Sequence, residues 1–212
     1  MKQSEKFVIA INRELGSGGR TVGEMLAQRL GVPFYDKALI QSLKEKYNLS
    51  TEEIERLKGQ KHNWWADLKR SLKIMPNYTA PQLFHDKASI PDFLITDDIF
   101  RSETEILKGI AEDGSCVIAG RSAFYIFRDH PNHLNVLIQA SMEQRIDRVA
   151  AKRGISRDEA RNIIDEVDSG RESYINKYTG TSRYDTRNYD LVINMDDHSE
   201  EEAVDIIMKY IR

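Results

Sequence analysis

Residues 7–12, FVIAIN, form an unbroken apolar run, and the next seven positions, RELGSGG, hold three glycines. An apolar run of this length reads as a strand covered on both faces, as in a parallel sheet. Val22, Met25, Leu26 and Leu30 follow at helical spacing, and Gly31 is placed to end that helix. Strand, glycine cluster and helix in this order are the layout of a loop that holds phosphate on backbone N–H groups at a helix N-terminus. No other feature of the chain limits the choice of fold so strongly.

The rest of the chain repeats the alternation. VPFYD (32–36), SCVIAG (115–120), HLNVLIQA (133–140) and YDLVINM (189–195) are further strand candidates. Helical patterns cover 37–47, 92–113, 141–153, 156–178 and 199–211, and Ser156 with Glu159 has the spacing of a capping box. Strands alternating with helices predict an α/β fold with a mainly parallel sheet. Ligands in such folds sit at the carboxyl ends of strands, which here means residues 13–21, Asp36, 120–122 and the segment after 140. Residues 48–92 break the pattern. After an N-cap signal at Ser50 and Glu53 they hold Trp64, Trp65 and three of the five prolines, and read as an irregular, partly helical insert. A chain of 212 residues is expected to be one domain carrying that insert.

The Walker A pattern is G-x-x-x-x-G-K-[ST]. Aligned on GRT, it puts Gly19, Arg20 and Thr21 at the last three positions and Glu14 at the first. The lysine and the first glycine are therefore both replaced. The ingredients of an anion site remain. Gly16, Ser17, Gly18 and Gly19 supply a loop whose N–H groups can converge, Arg20 a permanent charge, and Thr21 a hydroxyl for Mg²⁺. Asp36 or Glu14 is a candidate second metal ligand. Glu14 beside phosphate needs a partner, and the adjacent Arg13 is expected to provide it. The competing reading is an ordinary glycine turn between strand and helix.

Further residues fit the same chemistry, each with a plainer alternative. Gly120-Arg121 lies just past a strand end, where an arginine can clamp a phosphate bidentately or form a surface ion pair. Asp36 can bind an acceptor or simply cap a helix. Arg171, Lys177, Arg183 and Arg187, with Gly170 and Gly180 among them, read as a solvated basic face or as a lid carrying cations onto a transferring group. Core packing or a subunit contact explains the two tryptophans better than stacking on a base. The histidines lack metal-ligand spacing. Cys116, the single cysteine, sits in an apolar run and reads as a core thiol. The net charge of -3 gives no global field for nucleic acid, and no apolar run is long enough for a membrane span. The N-terminus lacks a signal-peptide cleavage pattern, so a cytoplasmic protein is expected.

Taken together, INRELGSGGRTVGEMLAQRLGVPFYDKALI, SETEILKGIAEDGSCVIAGRSAFYIF, LNVLIQASMEQRIDRV and YDLVINMD resemble the cytidylate-kinase-like proteins, a branch of the nucleoside monophosphate kinases. The resemblance implies a three-layer P-loop kinase fold. Its parts would be a five-stranded parallel sheet, a small helical acceptor-binding insert at about 48–92 and a lid at about 168–188. It implies transfer of the ATP γ-phosphoryl group, with Mg²⁺, to a nucleoside monophosphate, a CMP- or dCMP-like acceptor first. Residues 16–21 would hold the ATP phosphates, and Asp36, Arg101 and Arg121 the acceptor. Arg20, Arg171, Lys177 and Arg183 would be the catalytic cations. The chain departs from the family at three places. Arg20 stands for the loop lysine, Ala119 for an acid before Gly-Arg, and Ser122 for an acid after it that helps read the base. Two alternatives follow from these departures: a nucleotide-binding regulatory protein that has lost transfer, and a kinase of another small molecule. The oligomeric state stays open, a homodimer among the options.

Overall fold

The computed structural model describes residues 1–47, 49–58, 65 and 97–211. Its sheet has five parallel strands: β1 (Val8–Arg13), β2 (Phe34–Asp36), β3 (Cys116–Ala119), β4 (His133–Gln139) and β5 (Leu191–Asn194). Their order is β2-β3-β1-β4-β5, so the glycine-loop strand is central. The helices are α1 (Gly19–Leu30), α2 (Lys37–Tyr47), α3 (Thr51–Lys58), α4 (Asp97–Asp113), α5 (Ala123–Ile126), α6 (Met142–Arg153), α7 (Arg157–Thr179) and α8 (Glu200–Tyr210).

The period-2 geometry of β1 explains the layering. Val8 and Ala10 pack with Cys116 and Ile118 into one core, joined by Ile106, Leu107 and Ile110 of α4. Ile9 and Ile11 face the other way and join Val117 and Ala119 with Val22 and Leu26 of α1 and Val204 and Ile207 of α8. Both faces are therefore dry, as a continuous apolar strand demands, and the fold has three layers. Each fully buried aliphatic side chain contributes roughly 1.5–3 kcal/mol.

Local signals set the helix ends. Gly31 adopts φ 66° and closes α1, while Ser156 and Glu159 form the expected reciprocal cap on α7. Ser50 accepts from the Glu53 N–H at 3.2 Å and opens α3. Trp65 is buried in the first core, as core packing requires, and Cys116 is a buried free thiol there. Trp64 and most of the expected insert lie outside the described residues. No helix among the described residues is long and apolar enough to cross a membrane. The short α5 and a 3-10 turn at Thr186–Asn188 are additions that the sequence pattern does not announce.

Candidate active site

Parallel strands bring their carboxyl ends to one edge. Asp36 and Ile11 both register with Ala119, and Arg13 registers with Ile138. The glycine loop, Asp36, Gly120-Arg121 and Ala140 therefore meet there, as the strand-end rule predicts.

The loop's shape depends on two left-handed glycines, Gly16 at φ 86° and Gly18 at φ 83°. Gly18 is the N-cap of α1, and its carbonyl accepts from Val22 at 3.1 Å. The buried Ser17 hydroxyl donates to the Glu14 carbonyl at 3.0 Å and holds the loop from inside. Above the loop lies a cleft of about 720 Å³. Six cations line it (Arg13, Arg20, Arg148, Lys152, Arg153 and Arg171) against two carboxylates, Glu14 and Glu200. Such a cleft, closed at its floor by a helix N-terminus, favours a polyanion. Arg148, Lys152 and Arg153, all on α6, were not singled out from sequence. Their signal is the basic face of that helix.

Both carboxylates are already engaged. The expected Arg13–Glu14 pair does not form. Residues 13 and 14 are consecutive on an extended chain and point to opposite sides, and Glu14 instead pairs with Arg145 at 3.2 Å and accepts from the Ala140 N–H at 3.1 Å. Glu200 pairs with Arg148 at 3.2 Å.

A second group missed from sequence anchors the loop. Asp168, 7% exposed, accepts from the Leu15 N–H at 3.1 Å and pairs with Arg145, Arg171 and Arg183. Arg145 also donates to the Leu15 carbonyl at 2.9 Å. Arg183 is fully buried and donates to the Arg13 carbonyl, so it braces the loop rather than waiting in solvent. Arg171 lines the cleft and reaches the same carbonyl at 3.4 Å.

Arg20 lies at the cleft rim with its charge largely answered. It donates to Asp36 at 2.8 Å and to Glu24 at 2.9 Å. Asp36 takes the plainer of its two expected roles, capping α2 by accepting from the Leu39 N–H at 3.0 Å, and it also pairs with Arg20.

Arg121 is buried and donates to Glu103 at 2.7 Å, with its guanidinium 5.4 Å from the Tyr174 ring centre. Gly120, Arg121 and Ser122 have φ of 79°, 57° and 55°. Left-handed non-glycine residues cost about 1–2 kcal/mol each and persist where the surroundings over-determine them. Glu103, two residues from the predicted Arg101, is the acid that sequence reasoning missed. Arg101 itself is exposed on α4, and Lys177 pairs with Asp97 at 3.3 Å; neither lines the cleft. Arg187 is exposed and paired with Asp185, a solvated basic group as the plainer reading has it.

The donor set for a metal is thin. Thr21 is the one hydroxyl among the cleft's lining residues, Asp36 and Glu14 are held by arginines, and no group of three His, Cys, Asp or Glu occurs among the described residues. This suits an ion that arrives on phosphates and keeps most of its water, as Mg²⁺ does.

The sheet order, the glycine loop at the end of its central strand and the cationic cleft define a P-loop kinase fold, the architecture of nucleotide-binding phosphotransferases. A match over residues 8–197 places the chain more narrowly: it belongs to the cytidylate kinase-like family. A cytidylate kinase of Pyrococcus horikoshii is 28% identical over 206 residues, which cover 96% of this chain and 87% of that protein. An uncharacterized protein from Eubacterium ventriosum superposes with a TM-score of 0.68 at 26% identity, covering 97% of this chain and 98% of the other. A shikimate kinase from Bacteroides thetaiotaomicron shares the fold, with a TM-score of 0.51 at 15% identity over 98% of this chain and 99% of its own.

Proposed function

We propose that this protein transfers the γ-phosphoryl group of ATP to a nucleoside monophosphate, with a CMP- or dCMP-like acceptor. One observation carries the reading. The cleft over the glycine loop and the Gly120-Arg121 turn occupy neighbouring strand ends, so a triphosphate on one meets an acceptor phosphate on the other. An acceptor phosphate oxygen bonds to the γ-phosphorus while the bond from that phosphorus to the β–γ bridging oxygen breaks, and the electron pair leaves with ADP.

Such transfer needs alignment and positive charge more than covalent chemistry. The N–H groups of residues 16–21 hold the donor phosphates. Arg121 holds the acceptor phosphate, oriented by its buried partner Glu103. Arg20 keeps Asp36 oriented toward the acceptor, and Arg171, on the helix that braces the loop, supplies a cation in the cleft. Mg²⁺ would neutralise phosphate charge when bound, and Thr21, the cleft's one lining hydroxyl, would be within the loop to help hold it.

The test is incubation of the protein with ATP, Mg²⁺ and a panel of CMP, dCMP, UMP, AMP, GMP, shikimate and gluconate, with products read by mass. A nucleoside diphosphate supports the proposal. A second reading, nucleotide binding without transfer, is favoured by Ala119 and by the neutralisation of Arg20. It predicts saturable ATP binding and no product. A phosphorylated sugar acid or cyclitol alone would assign the protein to another small molecule.

A further inference from the structure

The loop's register can be fixed by backbone conformation. Gly18 has the left-handed φ that demands glycine and caps α1, whereas Gly19 is helical. Counting the Walker pattern from Gly18 puts Gly19 at the lysine position, Arg20 at the hydroxyl position and Arg13 at the first glycine position. The lysine and a glycine have thus changed places across the loop. The two positions are coupled in space: a Cβ on Gly19 would lie 2.5 Å from the Arg13 Cβ, a separation real Cβ atoms essentially never show. A side chain at 19 and one at 13 exclude each other.

Arg13 fills the space. Its guanidinium lies against Gly120, where a Cβ would meet Nη1 at 2.1 Å, so it spans from the donor loop to the acceptor turn. It lines the cleft. Among the described residues no carboxylate forms an ion pair with it, whereas Arg20, Arg121, Arg145, Arg171 and Arg183 each have one. Burial and the charges of Arg171, Arg183 and Arg121 push its pKa down to about 9, with Asp36 opposing. It remains a cation at neutral pH.

We propose that Arg13 takes the place of the missing loop lysine and binds the β- and γ-phosphates of the nucleotide from the first position of the loop. The proposal deepens the kinase reading and rests on it. The γ-phosphoryl group is the anion for which the uncompensated guanidinium is set, and as that group moves to the acceptor Arg13 stays between the two phosphates, beside Gly120. Arg20 is then the partner of Asp36 and not the phosphate cation.

The test begins with the wild-type protein and phenylglyoxal, which modifies accessible guanidinium groups, with sites mapped by peptide mass. Arg13 is modified in the free protein and protected at least tenfold by ATP with Mg²⁺, but not by adenosine. An Arg13 whose modification rate ATP leaves unchanged overturns the proposal. Variants give the second arm. Arg13→Met lowers ATP affinity and transfer at least 100-fold. Arg13→Gly combined with Gly19→Lys, which removes the Arg13 contacts at 2.5 and 3.2 Å and leaves Ile138 Cβ at 3.0 Å, recovers at least tenfold over Arg13→Gly alone. A folded Arg13→Met with ATP affinity within threefold of wild type overturns the proposal. Absence of transfer to every acceptor, with ATP still protecting Arg13, defeats the kinase reading and leaves the phosphate contact standing.

Discussion

The Arg121 guanidinium and the Glu103 carboxylate meet at 2.7 Å with both side chains buried. Both side chains are withdrawn from solvent, so the pair offsets much of the cost of burying two charges. Glu103→Ala removes the carboxylate paired with a buried cation and should destabilise the fold, by up to about 3–5 kcal/mol, read as a shift in the urea midpoint. Glu103→Leu combined with Arg121→Met should recover most of that stability and none of the transfer activity. Stability and activity that recover together would place the pair outside the acceptor site.

Gly16 and Gly18 make a separate prediction. A Cβ at Gly16 would meet the Arg145 carbonyl oxygen at 2.8 Å, and one at Gly18 the Arg148 Nη1 at 2.2 Å, both at positive φ. The Arg145 carbonyl is backbone and cannot yield, whereas the Arg148 side chain can. Gly16→Ala should therefore weaken ATP binding more than Gly18→Ala, with at least a tenfold loss at Gly16 by calorimetric titration. Equal affinities for both variants and wild type would show that the loop does not hold the nucleotide.

Asp168 ties the loop to α7 and compensates Arg145, Arg171 and Arg183 together. Asp168→Asn keeps the shape and removes the charge. It should cost several kcal/mol, about the 3–5 kcal/mol of a broken buried pair. Inorganic phosphate should restore more thermal stability to this variant than to wild type, because an anion in the cleft beside Arg171 replaces part of the lost negative charge. An equal phosphate response in the two proteins would rule out that electrostatic account.

These residues also show where sequence reading stops. The apolar runs, the glycines and the caps act over a few residues, so strands, helices and the loop could be located in advance. Asp168 and Leu15 are 153 positions apart, and their contact depends on how α7 packs over the sheet. Nothing local marks that aspartate. Adjacency in the chain suggests Arg13 as the partner of Glu14, although strand alternation separates the two side chains. Alignment on GRT puts Arg20 at the lysine position. Only the backbone angle of Gly18 selects the other register.

Cys116 gives a pH-dependent prediction. Burial pushes its thiol up from 9.0 to about 12. The folded thiol stays protonated while an unfolded one ionises, so unfolding releases a proton above the ordinary value. Stability from this group is complete below pH 9.0 and falls as pH rises toward about 12. Iodoacetamide at pH 8.5 should label Cys116 only after denaturant is added. Rapid labelling of the native protein would contradict its place in the core.

The central claim is that a phosphoryl group crosses from the glycine loop to an acceptor at Gly120-Arg121. A single turnover with ATP labelled with ¹⁸O on the γ-phosphoryl group, in the presence of CMP and Mg²⁺, tests it directly. The account predicts that the label appears in the new terminal phosphate of CDP. Label found only in inorganic phosphate, or ATP bound and left intact, would contradict it.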